Sequence, residues 1–425
     1  MNARPKPTRS ACFQPDNYTD LALFTNREEL LNDLVERLKS VLEPGAPGQA
    51  RILVRGHRGV GKSILTRKAL DMVVQSPGAL RVIVDGAQTG HGPDAVLKRI
   101  AADLGREATE NANDPGVQKG AELLQRFAAA TKVSVKEVRQ WSRNLQLGAT
   151  LKSKLIDSVQ VEFGISGAAS RVRTVEETYE RAVDADFLKD RVQDFLVDCR
   201  AAGEHVVLFV DNLDQVGYAE IAEDVRRVTD LAKVILGFTD CVVVANLRTE
   251  FVSADLRKMH AHPVEVKGLE PEALLRIAKT RMGSANQAKR LLLKEAGFEA
   301  ITMQLASWTT NAWGLLTWLA DLDYERIDFP PDDGERLREA LLRIAENRFA
   351  GLRADEIRRI AEAFKAGPNQ FLTGVELDTH GLTQELRERA LRYGALVPDW
   401  LLSPDRFMLS PSLHFLCVAR RDPAP

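Results

Sequence analysis

The chain has 425 residues, 44% hydrophobic and 28% charged, an ordinary globular composition with enough length for two or three domains. A formal net charge of -2 at pH 7 excludes a broad electrostatic grip on nucleic acid, though not a small local contact surface. The four cysteines (Cys12, Cys199, Cys241, Cys417) lie far apart, follow no metal-ligand spacing and suit a reducing, cytoplasmic compartment. Residues 1–20 lack an apolar signal core and read as a flexible leader, and no stretch is long enough to span a bilayer.

The first informative stretch is "RILVRG" (51–56), a strand, running into GHRGVGKS (56–63) and the helical "KSILTRKALDMVV". Gly56, His57, Arg58, Gly59, Val60, Gly61, Lys62 and Ser63 fit G-x-x-x-x-G-K-[ST] in full, with Ile64 next in the helix. The glycines let the backbone turn tightly and aim successive N–H groups at phosphate oxygens. Lys62 is expected to reach the β- and γ-phosphates and Ser63 to ligate Mg²⁺, while the helix from Ser63 to about Val74 points its positive end at the anion.

Next, 81–105 reads as strand, loop and helix, with Leu97, Ile100 and Leu104 on one face and Asp94 as a cap. Residues 106–200 exceed what a connection between core strands needs and form an insertion. Its first half reads as the helices "GAELLQRFAAATK" and "SVKEVRQWSRNL". Residues 145–170 then alternate with period two, with Lys152 and Lys154 at the turn, and predict a β-hairpin. A helix over 175–202 is expected to lead back to the sheet.

"HVVLFVDNLDQV" (205–216) is a buried strand ending in acids, and Asp211 at its C-terminal end is the natural partner for the Mg²⁺ on Ser63. Cys241 opens the apolar run "CVVVAN" and reads as a core thiol. Strands at 51–55, 81–85, 206–211, 241–245 and 263–266 alternate with helical patterns and predict a parallel doubly wound α/β sheet. A polar, proline-containing boundary, "IDFPPDDGERL", precedes a tail that reads as helix ("ADEIRRIAEAFKAG"), helix ("TQELRERALRYG") and β-wing. In a winged helix the second of these helices offers Arg387, Arg389 and Arg392 to a DNA groove, but Glu385 and Glu388 interleave with them.

The phosphate loop, the acidic strand and "CVVVANLRTEF" (241–251), in that order, resemble an AAA+ ATPase of the branch shared by origin-recognition-type initiators and STAND signalling NTPases. Residues 23–38, "LFTNREELLNDLVERL", resemble the branch's N-terminal helix beside the adenine, which implies that Arg27, followed by Glu28, lies on the base side. Residues 264–282 resemble the strand and first lid helix, and "LSPSLHFL" (409–416) the closing segment of an appended winged helix. The implied fold is a P-loop NTPase sheet with helices on both faces, a helical lid and a C-terminal winged-helix domain. The expected divisions are a leader (1–20), an ATPase core (21–268) carrying the insertion 106–200, a lid (269–326) and the winged helix (335–425).

The resemblance implies that Asn246 contacts the γ-phosphate or the attacking water. It also implies an arginine finger across a subunit interface, with Arg257 in the usual place and Arg248 and Arg281 as rivals. Two departures are visible. The acid expected after Asp211 is Asn212, leaving Asp214 as a candidate base or as a turn or ion-pair residue. The lid segment "TTNAWGLL" (309–316) carries Trp313 and Gly314 where an arginine usually stands. Together these imply an ATP-dependent switch that hydrolyses slowly, holding ATP or ADP with Mg²⁺ and acting on a protein partner or as a homo-oligomer. The alternatives are a DNA-associated ATPase of the replication-initiation or transposition-regulator type and a STAND-like phage-defence scaffold.

Overall fold

A computed structural model describes residues 24, 26–42, 49–57, 59–73, 79–89, 93–134, 137–138, 140–141, 180–213, 221–252, 255–256, 263–286, 298–324, 334–366, 371–398 and 406–417. Helix α1 (Glu28–Leu42) leads into strand β1 (Ala50–Gly56), helix α2 (Lys62–Val73) and strand β2 (Ala79–Asp85). Helices α3 (Pro93–Asn111) and α4 (Pro115–Ala129) follow, then short strands β3 (Lys132–Ser134) and β4 (Glu180–Ala182) and helix α5 (Ala185–Ala201). Strand β5 (His205–Asp211), helix α6 (Ile221–Leu236) and strands β6 (Val242–Arg248) and β7 (Val264–Glu265) complete the central sheet.

The five predicted strands are all present and all parallel, in the order β2-β5-β6-β1-β7. Their spatial neighbours are not their chain neighbours, so helical crossovers cover both faces. Strand β5 is buried at six of seven positions, the pattern of a strand covered on both sides. Val206, Leu208 and Val210 pack with α3, α4, α5 and α6, while Val207 and Phe209 pack with α1 and α2. Truncating Phe209 to alanine would cost about 3–5 kcal/mol, since both layers lean on the same strand. The sheet thereby fixes the C-terminal ends of β1, β2, β5 and β6 as one rigid edge.

In the insertion, α4 starts where Asp114 accepts from the N–H groups of Gly116 and Val117, ahead of Pro115 at the first turn. The rings of Trp141 and Phe187 meet Phe127 edge-on, with centroids 5.8 and 5.5 Å away. The helix expected over 175–202 is shorter than its pattern. Residues 180–182 pair antiparallel with β3, and α5 begins only after Asp184, which accepts from Phe187 N–H at 2.8 Å. Asp94, expected as a cap, lies inside the first turn of α3. The hairpin expected at 145–170, with Lys152 and Lys154, falls outside the described residues.

After the sheet come helices α7 (Pro271–Asn286), α8 (Phe298–Ala306), α9 (Ala312–Tyr324), α10 (Gly334–Arg348) and α11 (Ala354–Ala363). Strand β8 (Leu372–Thr373), helices α12 (Gly374–Thr379) and α13 (Gln384–Arg392), strands β9 (Leu396–Pro398) and β10 (Arg406–Leu409) and a 3-10 turn (Pro411–Leu416) close the described chain. Strand β10 lies between β8 and β9, antiparallel to both. Buried side chains from Leu269 to Cys417 form one continuous core. The pattern of the sequence foresaw α11, α13 and the β9–β10 pair; it missed β8 and α12, which are too short to show a period.

The cations of α13 are not free for a groove as expected. Arg387 donates to Asp378 Oδ1, to Gly374 O at 3.0 Å and to Leu382 O at 2.9 Å. Arg389 donates to Glu356 Oε1 at 2.6 Å, and this partnership holds the Glu356 carboxyl below the usual carboxylate range. Arg392, the third, is exposed. Among the described residues no helix is long and apolar enough to cross a membrane.

Candidate nucleotide site

The phosphate loop joins β1 to α2 along the sheet edge. Gly59 and Gly61 have φ of 79° and 94°, the left-handed region that favours glycine. At Gly59 a Cβ would also collide with the side chains of Trp313 and Asn311. Lys62 Nζ donates to the carbonyls of Gly56 at 2.8 Å and His57 at 3.0 Å, so its cation sits across the mouth of the loop. Val60 is buried in the core beneath, and Arg58 lies outside the described residues.

Opposite the loop, Ser63 Oγ donates to Asp211 Oδ1 at 2.9 Å. The same oxygen accepts from Asn246 Nδ2 at 3.0 Å and from the N–H of Asn212 at 3.0 Å. Asn246, itself 1% exposed, is held in turn by Thr66 Oγ1 at 3.0 Å. Burial pushes the Asp211 carboxyl above the usual range, against the hydrogen bonds from Asn246 and Ser63 and the charge of Arg67; the Asp85 charge pushes the same way as burial. Asp211 Oδ2 is buried with no hydrogen-bond partner among the described residues. A buried carboxylate oxygen without a donor is costly, and a cation would offset that cost.

A hydroxyl and a carboxylate offering oxygen ligands suit Mg²⁺, which takes few protein ligands and fills its shell with phosphate and water oxygens. Consistent with that, no cluster of three or more His, Cys, Asp or Glu resembles an all-protein metal site among the described residues. Cys241, the expected core thiol, is fully buried, and burial pushes its pKa up to about 12.

The residues expected beside the base are also gathered on the loop. Arg27 donates to Val60 O at 2.9 Å and to Lys267 O at 2.6 Å, tying α1 to the phosphate loop and to the segment after β7. Burial lowers its pKa to about 10, which leaves it charged at neutral pH. Its neighbour Asn26, with φ of 66°, donates to Ala273 O at 2.9 Å and accepts from Arg276 Nε at 2.5 Å.

The segment 309–316 lies against the loop, where Trp313 N–H donates to Gly59 O at 3.2 Å. Trp313 and Asn311 thus stand against the phosphate loop, in a segment without an arginine. The 3-10 turn reaches the same neighbourhood. His414 is pushed down to about 4 by burial, against its hydrogen bond to Leu409 O, and the nearby His57 lowers it further.

Of the proposed fingers, Arg257 lies outside the described residues, as does the candidate base Asp214. Arg281 is 5% exposed within α7, packed inside its own chain rather than presented to a neighbour, and Arg248 stacks on the ring of Phe251 at 5.3 Å. Sequence reasoning missed two members of the site, Thr66 and Asp85. Thr66 follows the phosphate motif in a position with no signature. Asp85 ends a strand next to the acidic strand, a placement legible only once β2 and β5 are known to pair.

Residues 24–232 match the family described as "AAA ATPase domain". No curated protein matches the chain. Among solved structures it is similar to a Walker-type ATPase of Pyrococcus abyssi (13% identity, 93% of this chain and 95% of that one, TM-score 0.38). It is also similar to Cdc6p of Pyrobaculum aerophilum (12%, 96% and 97%, TM-score 0.42) and to the ORC2 protein of Aeropyrum pernix (11%, 94% and 97%, TM-score 0.36). The assignment rests on the family match and on the parallel sheet that carries the loop. Residues 24–232 carry a domain that matches the AAA ATPase family, built on a parallel sheet with a phosphate loop.

Proposed function

We propose that the protein is a nucleotide-dependent switch of the origin-recognition and STAND-like branch, which binds ATP with Mg²⁺ and hydrolyses it slowly. The observation that carries this reading is the meeting of Ser63 and Asp211, 2.9 Å apart, with a buried unpaired oxygen on Asp211 and the Lys62 cation on the same loop. Lys62 exchanges the loop carbonyls for phosphate oxygens, and Ser63 and Asp211 hold the metal. Magnesium held by Ser63 and Asp211 would neutralise charge developing on the phosphate. Asn246 orients the attacking water from the next strand, and Arg27 braces the base side.

The switch follows from where the lid sits. Trp313 and Asn311 touch Gly59, and Asn26 touches α7, so a nucleotide that reshapes the loop also acts on the lid. The units proposed are the core (21–268), the lid (269–326) and a winged helix (335–425), the last two sharing one buried core and so moving together against the first. The order helix, strand, helix, helix, strand, strand in α11 to β10 supports the last of these. With Arg387 and Arg389 engaged inside the chain, a protein partner or a second copy suits this unit better than DNA.

Titration with a fluorescent ATP analogue tests the reading. Lys62→Ala is expected to weaken binding at least about 100-fold, the loss of a charge-assisted contact to phosphate. Micromolar affinity retained in Lys62→Ala would break it.

A further inference from the structure

We propose that Asp85, on the strand beside the metal-side aspartate, is the general base of ATP hydrolysis; this rests on the ATPase reading above and deepens it. Asn212 directly follows Asp211, and a carboxamide takes no proton from water. The parallel register of β2 and β5 sets Asp85 beside Asp211, on strands about 4.8 Å apart. Asn212, with φ of 52°, donates its Nδ2 to Asp85 Oδ1 at 2.8 Å. Ala87 N–H donates to the same oxygen at 3.1 Å and Gln88 Nε2 to Oδ2 at 3.2 Å.

A carboxylate and a carboxamide are thus in contact at the rim of the site, with the acid ending β2 and the amide on the residue that follows β5. Among the described residues, the N–H groups of Asn212 Nδ2, Ala87 and Gln88 Nε2 orient the carboxylate, and the residue is partly exposed. Its negative charge also reaches Asp211, which places it in the same local field as the metal ligands.

In the step assigned to it, a water oxygen bonds to the γ-phosphorus as the bond from that phosphorus to the bridging oxygen breaks. The electron pair leaves with ADP, and the water's proton passes to the Asp85 carboxylate. A residue that only capped the 3-10 turn at Gly86–Gln88 would do none of this.

The test compares the wild type, Asp85→Asn, and the exchange Asp85→Asn with Asn212→Asp, which puts the acid directly after β5 and keeps the contact. Each is measured for fluorescent ATP affinity, melting temperature and single-turnover phosphate release. Asp85→Asn is expected to bind ATP within about threefold of the wild type and to release phosphate about 10²–10⁴-fold more slowly. The exchange is expected to recover turnover to within about tenfold of the wild type. Turnover at the wild-type rate in Asp85→Asn overturns the assignment, as does an exchange variant that binds ATP but stays as slow as Asp85→Asn. Should Asp85→Asn not fold, the exchange variant decides by the same rate. Wild-type protein that binds ATP and releases no phosphate also overturns it. Each of these leaves nucleotide binding intact, whereas failure of the reading beneath it shows as ATP affinity insensitive to Lys62→Ala.

Discussion

The nucleotide edge of the sheet and the C-terminal three-stranded unit are both rich in polar side chains, and they use them in opposite ways. Around Asp211 the donors converge on one oxygen and leave the other buried without a partner among the described residues. On α13, Arg387 is engaged by Asp378 and two carbonyls and Arg389 by Glu356, all within the chain. A buried carboxylate oxygen without a donor, beside a hydroxyl and a phosphate loop, suits a cation, whereas arginines ion-paired to their own unit brace it. The same contrast argues against DNA readout by α13 and for a cation at Asp211.

Removing the acid from the sheet edge is the strongest way to break that contrast. Asp211→Ala is expected to abolish Mg²⁺-dependent phosphate release, by roughly 10³-fold, while ATP affinity falls less than about tenfold. The nucleotide-free variant should melt close to the wild type, because the cost of the buried carboxylate goes together with its hydrogen bonds from Ser63, Asn246 and Asn212. A clear fall in melting temperature would show the aspartate to be a structural residue after all.

His414 sharpens the comparison through pH. Its pKa of about 4 in the folded chain lies below the ordinary value, so the unfolded state binds more protons between pH 6.5 and 4. Stability should therefore be lost as pH falls through that window, by up to about 3 kcal/mol. His414→Phe should flatten this limb in denaturant titrations at pH 7 and pH 4, and an unchanged difference would remove His414 as its source.

Arg387→Ala should destabilise the C-terminal unit by about 2 kcal/mol, the scale of hydrogen bonds to a charged group, with ATP affinity unchanged. A variant of wild-type stability whose DNA binding had become less salt-dependent would reverse the reading of α13. The smallest effect is expected at Asp184→Ala, about 1 kcal/mol from the lost cap of α5, read by urea denaturation.

Much of this was legible in the amino-acid order. The phosphate motif declared itself because its residue types are demanded by backbone geometry and phosphate charge. The five strands showed through their apolar runs, and the absence of an arginine in 309–316 is plain by inspection. The start of α5 was not legible. Residues 175–202 hold a helical composition throughout, and pairing of 180–182 with β3 overrode it. The engagement of Arg387 was equally hidden, because its partners lie on α12 and the turn after it, 5 to 13 residues away in the chain.

By itself, the order of residues determined the phosphate loop, the parallel α/β class and the aspartate that ends the acidic strand. Those depend on local backbone demands and on periodic burial. Only the tertiary structure decided that Asp85 stands beside Asp211, that Asn212 joins them, and that Trp313 and His57 share a neighbourhood with His414. Such pairings are set by which strands lie side by side and how the lid docks. Nothing within a single stretch of chain encodes them.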